Sequence, residues 1–289
     1  MIAIIDIGSN SVRLAIFSDG NIIFRDKITA RLGQGFYQTG EITQEALNRN
    51  VKAVCTLLDL AYNKGVSKNN VYLFATATVR DAKNGKAFCD QIYAITGLLV
   101  DILSETEEAK CALLGALGDK NGAVIDLGGG SIELISSSCG AVDFSHSINM
   151  GVVKITDMFG CDKLKTQAYV KERLFEYGNV KIDSLIGVGG SATCCAFILS
   201  GDKDYDINKN HGRLIEKQKL FALVDKLYGM TASERSKEYN VSPKRAETIH
   251  AGALVLALLL DYLGLESLTV SERDNLDGYY SLKVVNSET

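Results

Sequence analysis

The strongest constraint on the fold is an internal repeat with an offset of 120 residues. Residues 3–14 (AIIDIGSNSVRL) align without a gap with residues 123–134 (AVIDLGGGSIEL). In both copies an apolar run contains an aspartate, a glycine-bearing turn follows, and a second apolar run begins after a serine. This period is longer than the roughly 20–50 residues of solenoid repeats. The repeat therefore predicts two domains of one fold, each opening with a β-hairpin whose turn faces a common cleft.

Strands and helices alternate in both halves, which indicates an α/β protein. Outside the repeat, the predicted strands are residues 71–75, 98–103, 184–188 and 268–270, and the predicted helices are residues 43–64, 87–95, 104–117, 162–177, 214–229 and 242–264. A short helical tail follows the last strand. We place the first domain at residues 1–117, joined by the C-terminal tail at residues 275–289, and the second at residues 118–274.

Composition excludes several classes of protein. The chain has 27 glycines and one proline, and 46% of its residues are hydrophobic, so it can bury a full core and is neither collagen-like nor disordered. The net charge is −4, without a basic arm in either half, so we expect no nucleic-acid partner. A polyanionic partner would have to be bound locally, by backbone amides, a few basic side chains or a metal.

Cysteine usage and apolar runs indicate a soluble, cytoplasmic protein. The seven cysteines are odd in number and form no C-x-x-C pair, which favours reduced thiols over a disulfide framework or a zinc site. The N-terminus does not have a signal-peptide pattern. The longest apolar run, residues 251–260, is about half a membrane span and predicts a buried helix, so we expect no membrane association.

Three glycine-bearing turns follow predicted strands, at residues 8–10, 128–130 and 189–191. Glycine allows consecutive backbone N–H groups to converge on a phosphate. Each turn taken singly could equally be an ordinary tight turn, and the chain lacks a P-loop string. The candidate phosphate-binding residues are Gly8, Ser9, Asn10, Arg13, Gly128, Gly129, Gly130, Ser131, Gly189, Gly190 and Ser191.

Carboxylates accompany these turns. Asp6, Asp126 and Glu133 would place negative charge beside a bound phosphate, which is favourable only with a hard cation between them. We therefore predict a Mg²⁺ site, with Mn²⁺ as a substitute, formed by these three residues. The alternative is that they are ordinary turn residues.

Glu108 and Arg80 are the candidate catalytic side chains. Ser104 and Glu107 form an S-x-x-E capping box, which explains the acidic residues next to Glu108 but not Glu108 itself. The helix dipole would lower the pKa of Glu108 and burial would raise it, and the sequence leaves that balance open. Arg80 follows the strand at residues 71–75, where an arginine can bind phosphate or can simply be solvated.

Six strings in order resemble the exopolyphosphatase/guanosine pentaphosphate phosphatase family. They are DIGSNSVR (6–13), RLGQG (31–35), ATATVRDAKNG (75–85), SETEEA (104–109), VIDLGGGSIEL (124–134) and GVGGS (187–191). Further matches at Arg245 and at Val270-Ser271 extend the resemblance over nearly the whole chain.

The resemblance implies two ribonuclease-H-like domains of the actin-like ATPase type, with the active site in the cleft between them. It also implies Mg²⁺-dependent release of terminal phosphate from inorganic polyphosphate or guanosine pentaphosphate. By motif position, Glu108 takes the role of the catalytic base and Arg80 that of the phosphate-contacting arginine. Asp126, Gly128 and Glu133 then belong to the metal and phosphate loop.

Two positions depart from the family pattern: Leu276 and Lys154 stand where arginines are frequent. The chain also ends without the helical C-terminal domains of long exopolyphosphatases, so we expect a weaker grip on long polyphosphate. Two other functions stay open, an actin-fold kinase or nucleotide hydrolase and a non-catalytic polyphosphate or alarmone sensor. A homodimer is the candidate assembly.

Overall fold

The computed structural model describes residues 1–118, 120–138 and 141–284, and for Tyr37 and Gln38 it describes the backbone alone. The strands are β1 (Ile2–Ile7), β2 (Ser11–Ser18), β3 (Asn21–Thr29), β4 (Val71–Ala75), β5 (Val100–Ile102), β6 (Gly122–Leu127), β7 (Ile132–Ser138), β8 (Ala141–Ile148), β9 (Leu185–Val188), β10 (Leu214–Glu216) and β11 (Ser267–Val270).

The helices are α1 (Phe36–Thr39), α2 (Gln44–Asn63), α3 (Ala77–Asp81), α4 (Gly85–Thr96), α5 (Glu105–Leu117), α6 (Val152–Phe159), α7 (Lys163–Leu174), α8 (Gly189–Ser200), α9 (Ile207–Asn210), α10 (Lys217–Tyr228), α11 (Ala232–Tyr239), α12 (Pro243–Leu263) and α13 (Asn275–Tyr279). Short 3₁₀ turns cover Lys68–Asn70 and Phe175–Tyr177, and a π-helical turn covers Tyr280–Val284. The chain divides into two compact units, Met1–Glu108 with Lys283 and Val284, and Ala109–Leu282.

Each unit contains one sheet with the same central arrangement. In the first unit the strand order is β3-β2-β1-β4-β5, with β1, β2 and β3 antiparallel and β4 and β5 parallel to β1. In the second the order is β10-β11-β9-β6-β7-β8, with β9 and β11 parallel to β6 and β10 as an additional antiparallel edge. This is the ribonuclease-H-like order, so the predicted α/β fold class is confirmed.

The sequence repeat is also a structural repeat. Ile7 pairs with Val12 in the first hairpin and Leu127 pairs with Ile132 in the second, again with the offset of 120 residues. β1 and β6 lie inside their sheets and are nearly continuous apolar runs, as expected of strands that are covered on both faces. The aspartate within each run is therefore an exception that needs another explanation.

Helix α2 covers one face of the first sheet, as its apolar spacing predicts. Its buried residues include Leu47, Val51, Val54 and Leu58, which join the first core. The Thr43 side chain accepts a hydrogen bond from the backbone N–H of Ala46 at 3.2 Å, which confirms the predicted N-cap.

Helix α12 is the central helix of the second core. It begins at Pro243, as predicted, and all ten residues from Ala251 to Leu260 are buried. By length and composition alone this helix could cross a membrane, but 72% of its apolar window is buried inside the second unit. This burial favours the predicted role as a core helix.

The structure corrects two local predictions. Residues 214–216 were expected to begin a helix, but they form β10, because their backbone pairs with β11 from Leu214 opposite Thr269. The third glycine turn is the start of α8, which follows β9 directly at Gly189. Strands β3 and β8 and helices α1, α3, α6, α9 and α11 have no counterpart among the predicted elements.

The boundary between the units lies nearer the N-terminus than residue 117. Beyond Glu108, the apolar face of α5 packs on the second sheet, with Leu113 and Leu117 in one cluster with Val124 and Ile135. Residues 275–282 belong to the second unit as well, so the return to the first unit begins at Lys283.

Two glycines allow α5 and α13 to approach within backbone contact. A Cβ on Gly115 would lie 2.0 Å from the carbonyl oxygen of Asp274, and one on Gly278 would lie 1.8 Å from that of Cys111. Both distances are far inside van der Waals contact, and a backbone carbonyl cannot rotate away as a flexible side chain can.

We predict that Gly115→Ala lowers the free energy of unfolding of the second unit by about 1–3 kcal/mol, the usual cost of overpacking. The loss should exceed the gain of about 1 kcal/mol in helix propensity that Ala offers. Urea unfolding measures the change. Gly229→Ala is the matched control, because its nearest neighbours would lie at 3.5 and 3.6 Å. Equal stability of the two variants would contradict the close approach.

Candidate active site

The first hairpin turn, residues 8–11, is held by its carbonyl groups. The segment at residues 30–33, here called the first support segment, donates three backbone hydrogen bonds to it. The N–H groups of Ala30 and Arg31 donate to the oxygen of Asn10 at 3.1 and 2.9 Å, and that of Gly33 donates to the oxygen of Ser9 at 2.8 Å. The carbonyl oxygens of the turn therefore face residues 30–33.

The second hairpin turn, residues 128–131, is held in the same way by residues 151–154, the second support segment. The N–H of Gly151 donates to Gly130 at 2.9 Å, and the N–H groups of Val152 and Val153 donate to Gly128 and Gly129, both at 3.0 Å. Two of these bonds, from residues 151 and 153, repeat those from residues 31 and 33 with the offset of 120 residues.

This arrangement determines where the N–H groups of the turns point. In a trans peptide the carbonyl of one residue and the N–H of the next point in opposite directions, and the described residues contain no cis peptide bond. The N–H groups of Asn10 and Ser11 therefore point away from the first support segment, and those of Gly129 to Ser131 point away from the second. N–H groups that point outward in this way suit an anion, and the binding of phosphate by these turns stays a prediction.

Gly151 must be glycine for the second support segment to reach its turn. A Cβ at this position would lie 2.1 to 2.2 Å from backbone atoms of Gly129 and Gly130. In the sequence, the first support segment was visible as part of the shared string at residues 31–35, and the second only through the departure at Lys154. Their structural role depends on hydrogen bonds between residues that are about 20 positions apart.

The third glycine site is a helix N-terminus. Helix α8 has 12 residues and no acidic residue in its first turn, so its positive end suits an anion. Gly189 has φ +79°, and its missing Cβ allows Oδ1 of Asp126 to approach, because a Cβ would lie 2.6 Å from that atom. Gly190 lies against Arg245, whose guanidinium would be 1.9 Å from a Cβ there.

The aspartates of the two repeats face different cross-strand partners. Asp6 pairs in register with Arg13, whose Nε donates to Oδ2 of Asp6 at 2.8 Å and whose Nη2 also contacts it. Asp126 pairs in register with Glu133. The same backbone position therefore places an ion pair in the first unit and two carboxylates in the second.

The second pair, Asp126 and Glu133, has the chemistry of a divalent-cation site. Two carboxylates directly opposite each other repel, and hard cations such as Mg²⁺ are bound through one or two carboxylates plus water and substrate oxygens. Ser131 donates a hydrogen bond to Glu133 at 2.7 Å, which orients this carboxylate. Within the described residues no three His, Cys, Asp or Glu side chains are close enough to bind one metal ion. Asp6 is paired with Arg13 in the first unit, and its membership of the metal site with Asp126 and Glu133 stays a prediction.

Glu108 lies just inside the first helical turn of α5, and its side chain is 29% exposed. The predicted capping box is present, because Ser104 Oγ donates to Glu107 at 2.9 Å and accepts from the N–H of Glu107 at 3.3 Å. Glu108 instead interacts with Arg80, whose Nη1 donates to its Oε2 at 3.0 Å, and with the hydroxyl of Thr76.

Burial raises the pKa of Glu108 above its ordinary value. The hydrogen bonds and charge of Arg80 act in the opposite direction, and the nearby charge of Asp6 adds to the increase. The sequence left open whether the helix dipole lowers the pKa of Glu108 or burial raises it, and burial has the larger effect. A carboxylate with a raised pKa is a stronger base once it is ionised, which suits a group that must accept a proton.

Arg80 is occupied by protein groups. Its Nη1 also donates to the carbonyl oxygen of Leu103 at 3.0 Å, and its Nε donates to Asp81 at 3.2 Å. Arg80 therefore orients Glu108 in this structure, and its contact with phosphate stays a prediction.

The two residues that depart from the family pattern, Leu276 and Lys154, lie in different surroundings. Leu276 is 2% exposed and packs inside the second unit. Lys154 donates through Nζ to the backbone and side-chain oxygens of Asn149, both at 3.2 Å.

The structure brings the predicted site residues together as two sets. Asp6, Gly8, Ser9, Asn10, Arg13, Arg80 and Glu108 lie in the first unit, and Asp126, Gly128, Gly129, Gly130, Ser131, Glu133, Gly189, Gly190 and Ser191 lie in the second. The common cleft stays a prediction. Sequence reasoning missed Thr76 and Thr78, although the shared string at residues 75–85 contains both.

Comparison with known proteins gives a family and several relatives of this chain. The Ppx/GppA phosphatase family matches residues 13–278. A bifunctional 3-dehydroquinate synthase/phosphatase of Fusobacterium nucleatum is 29% identical over 96% of this chain, and the chain spans 45% of that relative's length. Exopolyphosphatase 2 of Mycobacterium tuberculosis is 29% identical over 96% of both chains.

More distant relatives and a solved structure extend the comparison. A guanosine-5'-triphosphate,3'-diphosphate pyrophosphatase of Vibrio parahaemolyticus is 25% identical over 93% of this chain and 56% of its own. The crystal structure of the Aquifex aeolicus Ppx/GppA phosphatase superposes with a TM-score of 0.86 at 25% identity, over 98% of this chain and 99% of that one.

The two ribonuclease-H-like units and the similarity to Ppx/GppA phosphatases define a phosphohydrolase. The chain belongs to the Ppx/GppA phosphatase family. This membership confirms the resemblance found in the six sequence strings and the class of enzyme that it implies, a hydrolase of phosphoanhydrides.

The capping box next to Glu108 predicts a pH-dependent stability. Lys283, which donates to Glu107 at 2.7 Å, and Ser104 together lower the pKa of Glu107 to about 2 from 4.5. Because the folded state favours the ionised carboxylate, this contribution is present above pH 4.5 and is lost as the pH falls towards 2. Glu107→Gln should therefore be less stable than wild type at pH 7, and the difference should disappear near pH 2.

Urea unfolding at low ionic strength measures this difference, because salt screens an ion pair whose members are 33% and 37% exposed. Glu105→Gln is the control, since its side chain is 87% exposed and lies outside the capping box. A stability difference for Glu107→Gln that stayed constant from pH 7 to pH 2 would argue against the assigned ion pair.

Proposed function

We propose that this chain releases the terminal phosphate from inorganic polyphosphate, from guanosine pentaphosphate, or from both, with Glu108 as general base. The observation that carries the proposal is the repeated orientation of the two hairpin turns, with their carbonyl groups bonded and their N–H groups directed outward. Phosphoryl transfer depends mainly on positioning and on electrostatic stabilisation of charge, which such turns supply. The names of the relatives from Mycobacterium and Vibrio support this choice of substrates.

In the proposed reaction Glu108 accepts a proton from a water molecule as the water oxygen bonds to the terminal phosphorus. The bond from that phosphorus to its bridging oxygen breaks, and the shortened phosphate chain leaves as an anion. Arg80 and Thr76 hold the carboxylate in place. The outward N–H groups of the turns bind phosphoryl oxygens and stabilise the charge that develops on them.

Asp126 and Glu133 are the residues that would hold a divalent cation, with the cross-strand geometry described above. Mg²⁺, or Mn²⁺ in its place, would supply neutralisation of negative charge on the phosphoryl group. The proposal also includes a cytoplasmic location, and a homodimer is its candidate assembly.

The central test is the variant Glu108→Gln, which keeps the shape of the side chain but cannot accept a proton. We expect kcat for phosphate release to fall by about 10²- to 10⁴-fold, the usual contribution of a general base, with a smaller effect on KM. Release is measured with and without Mg²⁺ on short and long polyphosphate, guanosine pentaphosphate and ATP.

Glu105→Gln is the matched control, because Glu105 also faces Arg80, at 3.8 Å, but is exposed. A folded Glu108→Gln protein with wild-type turnover would exclude Glu108 as the base. Turnover that required a phosphoacceptor other than water would indicate a kinase instead. Binding of polyphosphate without any release would indicate a sensor.

The interaction between Arg80 and Glu108 predicts the direction of a pH shift. Arg80 lowers the pKa of Glu108, so Arg80→Met should raise that pKa further. Since the base must be ionised, the acidic limb of the profile of kcat/KM against pH should move to higher pH in Arg80→Met. Arg80→Lys, which keeps the positive charge, should move it less. An unchanged limb in Arg80→Met would contradict the assignment of Glu108 as the titrating base.

A further inference from the structure

The short helix α3 carries polar side chains to two different parts of the first unit. Thr76, its N-cap, is 8% exposed, and its side chain lies near enough to Glu108 to lower the pKa of that carboxyl. Arg80, in the last turn, donates to the same carboxylate at 3.0 Å. Both ends of α3 therefore contact the proposed base.

Thr78 lies between these two residues and makes a different contact. It is 3% exposed, and its Oγ1 lies 2.6 Å from Oγ of Ser9, which is 69 residues away in the chain. Thr78 is the second residue of α3, and its hydroxyl contacts the first hairpin turn.

Ser9 is held from two directions. Its carbonyl accepts the N–H of Gly33 at 2.8 Å, and its hydroxyl contacts Thr78. A Cβ on Gly33 would lie 3.5 Å from both the oxygen of Ser9 and Oγ1 of Thr78, so these three residues pack together. The position of Ser9 in turn sets the direction of the N–H of Asn10, which belongs to the same peptide plane.

The second turn is held differently at the equivalent position. Gly129 has no side chain, and its carbonyl accepts two backbone N–H groups, from Val153 at 3.0 Å and Lys154 at 3.3 Å. Among the backbone bonds of residues 1–118, the carbonyl of Ser9 accepts one. In the first turn, the side-chain contact between Ser9 and Thr78 thus takes the place of the second backbone hydrogen bond that Gly129 accepts in the second turn.

We propose that Thr78 is a positioning residue, whose hydroxyl fixes Ser9 and thereby holds the N–H groups of the first turn in register with Glu108. This inference rests on the proposed function. Because α3 is a single short helix, the contact of Thr78 with Ser9 and that of Thr76 with Glu108 share one rigid support. The turn and the base are positioned together through it.

The test uses Thr78→Val, which removes the hydroxyl and keeps the branched shape, and Thr78→Ser, which keeps the hydroxyl. We expect kcat/KM for phosphate release from polyphosphate to fall about threefold to tenfold in Thr78→Val, the equivalent of one hydrogen bond. Thr78→Ser should stay near wild type. The acidic limb of the pH profile should keep its position in both variants, because Thr76 and Arg80 still contact Glu108.

A purely structural role of Thr78 gives a different result. Disruption of α3 would disturb Arg80 and Thr76 as well, so the acidic limb would move, and Thr78→Ser would be as impaired as Thr78→Val. Either observation would overturn the inference. The melting temperature of each variant shows whether it is folded.

Ser9→Ala tests the same contact from its exposed side and does not depend on a core substitution. We expect kcat/KM to fall by the same factor in Ser9→Ala, in Thr78→Val and in the double variant Ser9→Ala/Thr78→Val. Losses that multiply in the double variant would show that the two residues act separately. Wild-type release with unchanged kinetics in Thr78→Val would overturn this inference alone. Absence of release by the wild-type chain from every substrate would overturn the proposed function, and this inference with it.

Discussion

The bonding of the hairpin carbonyls by the support segments is the interaction on which the site depends. A hairpin turn alone does not determine which way its peptide groups face. Residues 30–33 and 151–154 bind the carbonyl oxygens of the two turns, and the planar trans peptide then directs the following N–H groups to the opposite side. The close approach of Gly151 to the second turn follows from the same requirement. The outward direction of these N–H groups is therefore a property of the backbone.

The two units share this backbone but differ in the side chains placed on it. Opposite the aspartate, the first unit has Arg13 and the second has Glu133, so one copy is neutralised internally and the other suits a cation. At the next equivalent position, the first turn has Ser9, which contacts Thr78, and the second has Gly129, which receives an additional backbone bond. A duplicated fold thus carries two different sets of side chains, and the proposed base Glu108 belongs to the first unit.

Much of the fold could be predicted because it depends on local patterns. The repeat predicted both hairpins, helical spacing predicted the buried face of α2, and Ser104 and Glu107 predicted their capping box. Predictions were wrong or absent where pairing with residues distant in the chain decides the secondary structure. Residues 214–216 become a strand only because β11 lies beside them, and the edge strand β3 has too mixed a pattern to be recognised without its partner β2. Site residues were likewise missed where a distant contact decides their role. Thr78 has no local signal that connects it with Ser9.

The sequence by itself determined the α/β class, the two repeated hairpins, the family and the candidate residues, because these are recorded in residue type and spacing along the chain. The tertiary structure alone decided what each candidate interacts with. It paired Asp6 with Arg13, placed Asp126 opposite Glu133, and surrounded Glu108 so that burial outweighs Arg80 and raises its pKa. The physical reason is that desolvation and hydrogen bonding depend on neighbours in space, and 28 residues separate Arg80 from Glu108 in the chain.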